Sequence, residues 1–162
     1  MRHTINLLVE NHLGCLSRIS GLFSARGYTI DSISVGSAEE EGMSRMTIVT
    51  HGDDKIIEQI TKQLNKVVDV VKVTDLTETS FVNRELALIK VTAPPSGRSE
   101  IMQIADVFRG NIVDISPRTL TIEATGNEDK INAIISMLRP FGLKEVARTG
   151  RIAIKREFKG EA

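Results

Sequence analysis

Apolar residues in the first half of the chain change spacing from one segment to the next. The spacing predicts six elements in order: a strand at 3–9, a helix at 14–26, a strand at 28–37, a strand at 43–50, a helix at 54–66 and a strand at 67–76. Leu16, Ile19 and Phe23 form the buried stripe of the first helix. A shift of the apolar register predicts a β-bulge near Asp31. Asp53 is the expected N-cap of the second helix.

The second half repeats this order of elements. It reads as a strand at 84–92, a helix ending at Gly110, strands at 111–116 and 118–125, a helix at 127–140 capped by Asn127, and a final strand at 143–155. Phe23 and Phe108 hold matching places 85 residues apart. Both halves therefore read βαββαβ, the ferredoxin-like order. We predict an α+β fold of two tandem ferredoxin-like domains, 1–77 and 84–162, each an antiparallel four-stranded sheet with helices on one face.

Each predicted domain is small for a self-sufficient core. A sheet covered by helices on one face leaves its other face and its edges without cover. A second copy of the chain would supply that cover, so the pattern predicts a homo-oligomer.

Composition narrows the class of protein. The 162 residues carry 21 basic and 21 acidic side chains, and zero net charge argues against non-specific nucleic-acid binding. No apolar run is long enough to cross a membrane, and the N-terminus lacks the pattern of a signal peptide. The single cysteine, Cys15, fits a reducing cytosol, so we expect a cytoplasmic protein without membrane association.

Residues typical of catalysis or metal binding do not form a pattern. His3, His12 and His51 lie on different predicted elements, and the phosphate-binding glycine motifs are missing. We therefore expect neither a catalytic site nor a metal site. Cys15 has two interpretations: a thiol activated by the helix N-terminus, or a small apolar residue against the core. The second is favoured.

The loop after the first strand carries the clearest candidate chemistry. Gly14 admits a helix whose first amides are free to bind an anion such as a carboxylate. Asn11 adds a side-chain amide, and Leu13, Leu16 and Ile30 offer a small apolar pocket. This combination fits a free amino acid with a short branched side chain. The alternative is an ordinary strand-to-helix turn.

The second half is an internal comparison for this loop. Alignment of Ile104 with Ile19 places Ser96 and Ser99 where the first half has Asn11 and Gly14. The same scaffold therefore occurs without the anion-binding corner, which indicates that the fold alone does not require it.

The first half resembles the ACT domain, a regulatory module for small molecules, in the pattern Asn11-x-x-Gly14-x-Leu16-x-x-Ile19-x-x-x-Phe23. Longer stretches from both halves resemble the regulatory small subunit of acetolactate synthase (acetohydroxyacid synthase): VENHLGCLSRISGLFSARGYTIDSISV, SRMTIVT at 44–50, QITKQLNKVVDVVKV at 59–73 and FRGNIVDISP at 108–117.

This resemblance implies a non-catalytic subunit that joins a large catalytic subunit. The partner would carry thiamine diphosphate, Mg²⁺ and FAD, with no cofactor in this chain. It would condense two pyruvates to 2-acetolactate and CO₂, or pyruvate with 2-oxobutanoate, in the synthesis of valine, leucine and isoleucine. The small subunit would raise its activity and confer feedback inhibition, usually by valine.

The resemblance also implies a site at the junction of two ACT domains in a homodimer. Asn11 and Gly14 would contact the effector directly, and His12, Leu13, Cys15 and Leu16 would lie in the same loop. Thr29 and Ile30 would face it from the other subunit. The family usually has Asn where this chain has Thr29, and one lost hydrogen bond to a charged group costs on the order of 1–3 kcal/mol, so valine sensitivity would be weaker or the preferred effector different.

Two other functions stay open: an amino-acid sensor acting on transcription, and a ferredoxin-like protein that binds RNA or senses metal. The absence of a helix-turn-helix pattern and of a basic surface counts against the first. Scarce aromatic residues and scattered histidines count against the second.

Overall fold

The computed structural model describes residues 1–157, which form two compact units. The first unit comprises Met1–Val82 together with the described residues from Arg151 onward, and the second comprises Asn83–Gly150.

The first unit contains the predicted βαββαβ order. Its elements are β1 (Arg2–Glu10), α1 (Cys15–Ala25), β2 (Ile30–Ser37), β3 (Met43–His51), α2 (Asp54–Leu64) and β4 (Val70–Asp75). The strands form an antiparallel sheet in the order β2-β3-β1-β4, so β2 and β4 are its edges. Alternate β1 residues, Ile5, Leu7 and Val9, pack with Ile19 and Phe23 of α1 in the core.

Two local features predicted for this unit, a helix cap and a β-bulge, are confirmed. The side chain of Asp53 accepts a hydrogen bond from the amide of Ile56 at 2.9 Å, which confirms the predicted cap of α2. The pairing of β2 with β3 shifts register between Ile30 and Ser32, so the bulge predicted near Asp31 is confirmed.

The second unit repeats the order. Its elements are β5 (Phe81–Thr92, which begins in the first unit), α3 (Arg98–Val107), β6 (Asn111–Ile115), β7 (Thr119–Gly126), α4 (Glu128–Leu138), a 3₁₀ turn at Arg139–Phe141 and β8 (Leu143–Arg148). The sheet order is β6-β7-β5-β8, and the side chain of Asn127 caps α4 as predicted. The two units confirm the α+β, ferredoxin-like fold.

The single final strand predicted at 143–155 is wrong. The chain turns at Gly150, which has a φ of 74°, and resumes as a separate strand, β9 (Ile152–Lys155). Only a residue without a side chain adopts this conformation readily. The described residues from Arg151 onward therefore group with the first unit, whereas the sequence analysis assigned them to the second domain.

The segment around β9 covers part of the face of the first sheet that is opposite to its helices. The side-chain amide of Asn6 donates to the carbonyl of Ala153 at 2.8 Å, and the amide of Ala153 donates to the Thr47 hydroxyl at 3.3 Å. Arg151 Nη1 donates to the Thr4 hydroxyl at 2.7 Å. Part of the cover that the sequence analysis assigned to a second copy thus comes from the same chain.

Among residues 1–157, no helix is long and apolar enough to cross a lipid bilayer.

Candidate functional site

The corner between β1 and α1 is built around Gly14. This residue is the N-cap of α1 and has φ 80° and ψ 1°, a left-handed conformation that side chains disfavour. Its position leaves no side-chain cap for the helix. The amides that a capping side chain would satisfy therefore stay available to a ligand.

The backbone hydrogen bonds of the corner show which amides are free. The amide of Asn11 donates to Gly42 at 2.8 Å, that of His12 to Glu10 at 2.9 Å and that of Cys15 to His12 at 3.2 Å. Within residues 1–157, four other amides at this corner have no backbone acceptor: Leu13, Gly14, Leu16 and Ser17. An anion at the corner would meet free amides of this set and the positive end of the α1 dipole.

A cavity of about 420 Å³ opens beside this corner. The six predicted residues of the corner, Asn11 to Leu16, all line it, together with Ser17 and the end of β1. Neighbouring strands add side chains that sequence reasoning missed: Val35 from β2, and Ser44 and Met46 from β3. They are brought in by the β1-β3-β2 pairing, which no local pattern in the sequence reveals.

The cavity has separate polar and apolar parts. Asn11 is exposed and presents an amide that can both donate and accept. The exposed fractions of Leu16 and Val35 are 47% and 48%, so apolar surface is open to a ligand. The volume lies within the range of small-molecule sites. The arrangement can hold a carboxylate, an ammonium and a few methyl groups.

Cys15 lines the cavity but packs mainly into the core, with 4% of its surface exposed. Burial, followed by the negative charge of Asp69, raises the pKa of its thiol. The favoured interpretation of Cys15 as a buried apolar residue is confirmed.

Thr29 and Ile30 do not line the cavity within one chain. Thr29 is exposed and its carbonyl accepts a hydrogen bond from the Thr50 hydroxyl at 2.5 Å. Ile30 begins β2 and packs partly against the core of the unit. Their predicted role across a dimer interface stays a prediction.

An ionic cluster beneath the loop was also missed by sequence reasoning. Asp69 lies just before β4, with its side chain 4% exposed, and contacts both His12 and Arg18. Donor atoms of Glu10, His12 and Asp69 lie within 4.8 Å of one another, a spacing that can hold a metal ion. However, the Arg18 guanidinium, 2.7 Å from Oδ2 of Asp69, places a positive charge against any cation there.

The fold and this corner define the class of protein: an ACT-type domain followed by a second ferredoxin-like domain. Residues 5–72 match a family model described as the AHAS small subunit-like ACT domain, and residues 84–157 match one described as the small subunit of acetolactate synthase. The chain belongs to the family of acetolactate synthase small subunits.

Relatives cover nearly the whole chain. The acetolactate synthase small subunit of Aquifex aeolicus is 54% identical over 97% of this chain and 82% of its own length. The probable small subunit of Archaeoglobus fulgidus is 52% identical over 96% of this chain and 98% of its own. A crystal structure of the Thermotoga maritima small subunit aligns with a TM-score of 0.91 at 43% identity, covering 98% of this chain and 99% of that one.

Proposed function

We propose that this chain raises the activity of a large catalytic subunit of acetolactate synthase and makes that subunit sensitive to a branched-chain amino acid, valine foremost. The observation that carries the proposal is the cavity beside Gly14, where free helix amides meet apolar surface. The effector's carboxylate binds the amides of Leu16 and Ser17, and its side chain contacts Leu16 and Val35.

Inhibition follows from linkage between effector binding and activation. The effector stabilises the arrangement of the regulatory subunit that it binds best. If the catalytic subunit prefers another arrangement, activity falls by the difference in affinity. A coupling free energy of about 1–3 kcal/mol gives several-fold to about hundred-fold inhibition.

The proposal includes a homodimer formed through the ACT domains. β2 is an edge strand of the first sheet, and Val35 near its end lines the cavity. When two β2 strands pair antiparallel about a twofold axis, the start of one lies opposite the end of the other. The partner subunit's Thr29 and the partner subunit's Ile30 then lie beside Val35, where they complete the site.

The catalytic chemistry belongs to the partner in this proposal. The large subunit binds thiamine diphosphate, Mg²⁺ and FAD and forms 2-acetolactate from two pyruvates, in the synthesis of valine, leucine and isoleucine. The second unit of this chain, whose first helix is not preceded by an Asn-x-x-Gly pattern, is proposed to contact that subunit. We also propose a cytoplasmic location, which the free thiol of Cys15 supports.

Reconstitution tests the proposal. The chain is added to purified large subunit, and acetolactate formation is measured with and without valine, leucine or isoleucine. We expect a higher rate with the chain present and a lower rate when the effector is added. Calorimetry on the chain alone measures effector binding directly, and Asn11→Ala should weaken it without unfolding the protein. Absence of activation, or equal affinity in this variant, contradicts the corresponding part of the proposal.

A further inference from the structure

Asp69 is a buried charge placed directly under the loop of the candidate site. Its side chain is 4% exposed, and it precedes β4 in an otherwise apolar run. A buried carboxylate is costly unless it is paired and hydrogen-bonded. Its pairing partners therefore indicate what this charge stabilises.

The partners of Asp69 come from both sides of the loop. Oδ1 lies 3.0 Å from Nδ1 of His12, inside the loop, and Oδ2 accepts from Nε of Arg18 at 2.9 Å, on α1. The backbone carbonyl of Asp69 accepts from the amide of Glu10 at 2.8 Å, at the end of β1. One residue thus connects the strand, the loop and the helix that form the corner.

Arg18 extends this connection to the loop backbone. Its Nη2 lies 2.7 Å from Oδ2 of Asp69 and also donates to the carbonyl of Leu13 at 3.2 Å. The loop has little other side-chain support, since Asn11 to Gly14 are all exposed and Leu13 is 98% exposed. The hydrogen bonds from His12 and then Arg18 hold the pKa of Asp69 below its usual value, so the Asp69 carboxylate is ionised at neutral pH.

We propose that Asp69 is a positioning residue for the effector loop, Asn11–Gly14: through His12 and Arg18 it holds the free amides in the ligand-binding arrangement before the effector arrives. This inference rests on the proposed function. A loop that is already ordered loses less conformational entropy on binding. Loss of the contacts of Asp69 with His12 and Arg18 therefore weakens effector affinity.

The first test uses Asp69→Asn, which keeps the shape and removes the charge. Calorimetry with valine, leucine and isoleucine should show a dissociation constant raised about ten-fold or more, because charge-assisted hydrogen bonds are lost. Glu58→Gln is the matched control, since it removes an exposed ion pair with Lys62 on α2 and should bind like the wild type.

A second variant covers the case in which Asp69→Asn does not fold. Arg18→Met keeps the apolar stem of a half-exposed side chain and removes its donors, and it should weaken binding to a similar extent. The double variant should lose less binding free energy than the two single variants do in sum, because both changes break the same Asp69–Arg18 ion pair. Losses that add in free energy contradict the proposal.

Hydrogen exchange without effector separates this inference from the proposed function. The hydrogen-bonded amides of the loop and of the start of α1, those of Asn11, His12, Cys15 and Arg18, should exchange several-fold faster in Asp69→Asn and Arg18→Met, while those of β7 stay as in the wild type. Unchanged exchange in the loop, or wild-type affinity in both variants, overturns the positioning role even if the wild type binds an amino acid. If the wild type binds neither valine, leucine nor isoleucine, yet exchange in the loop is faster in the two variants, the result contradicts the proposed function alone.

Discussion

At the scale of single residues, Gly14 combines a backbone requirement with open space. Its φ of 80° disfavours any side chain, yet a Cβ placed there would meet only Nη1 of Arg18, at 4.0 Å. A substitution therefore fits sterically but strains the backbone by roughly 1–2 kcal/mol. What the new side chain does to the ligand depends on its charge.

Gly14→Asp should abolish effector inhibition. The new carboxylate would repel the effector's carboxylate, and it would lie close enough to Arg18 to compete with Asp69. Gly14→Ala is the control, because it strains the backbone at least as much without adding the charge. The measurement is the ratio of acetolactate formation with and without effector. Equal inhibition in the Asp variant and the wild type would disprove the site.

Cys15 should react slowly with thiol reagents in the native protein. Its pKa is raised by burial first and by Asp69 second, so at pH 7–8 it holds less of the reactive thiolate than a free cysteine does. The rate should rise as the pH approaches the raised pKa and should increase sharply on unfolding in guanidinium. Reaction in the native state at pH 7 as fast as in the unfolded state would contradict this burial.

At the scale of elements, helix ends and bulges were predictable because their causes are local. Asp53, Asn127 and the bulge near Asp31 each depend on residues within a few positions. Long-range features were not predictable. Val35 and Ser44 reach the cavity through strand pairing, and Asp69 was hidden in the apolar run VVDVV, which favours a continuous strand.

The cap of α2 gives a direct test at this scale. Asp53→Ala removes the acceptor for the Ile56 amide and should lower the free energy of unfolding of the first unit by about 1 kcal/mol. Asp53→Asn is the control, since its side-chain oxygen can still cap the helix. The measurement is urea unfolding. If the Ala and Asn variants unfold at the same denaturant concentration, the hydrogen bond has no stabilising effect.

At the scale of the whole molecule, the chain returns to its first unit through β9. A chain ending at Gly150 should lose three hydrogen bonds that Thr4, Asn6 and Thr47 make with the returning segment. At roughly 0.5–1.5 kcal/mol for each bond, the first unit should be about 1.5–4.5 kcal/mol less stable. Hydrogen exchange of β1 should be faster than in a chain ending at Glu157. Equal exchange in the two chains would show that β9 does not stabilise this unit.

The same feature determines how the second unit should be removed. Deletion of 84–162 would also take β9 from the first unit, so a loss of function would have two causes. Replacement of 83–150 by a flexible linker keeps residues 151–157. We expect this chain to bind effector by calorimetry but to lose activation of the large subunit. Activation that survives the replacement would exclude the second unit as the contact with the catalytic partner.

The return of β9 also bears on how the protein is made. The ribosome releases about 5–20 residues each second, and domains generally fold as they emerge. Residues 83–150 leave before residues 151–157, so the second unit has its whole sequence while the first still exposes Thr4, Asn6 and Thr47 to water. The portion that is translated first is therefore the last to be finished, and nascent chains stalled near residue 150 should carry an incomplete first unit.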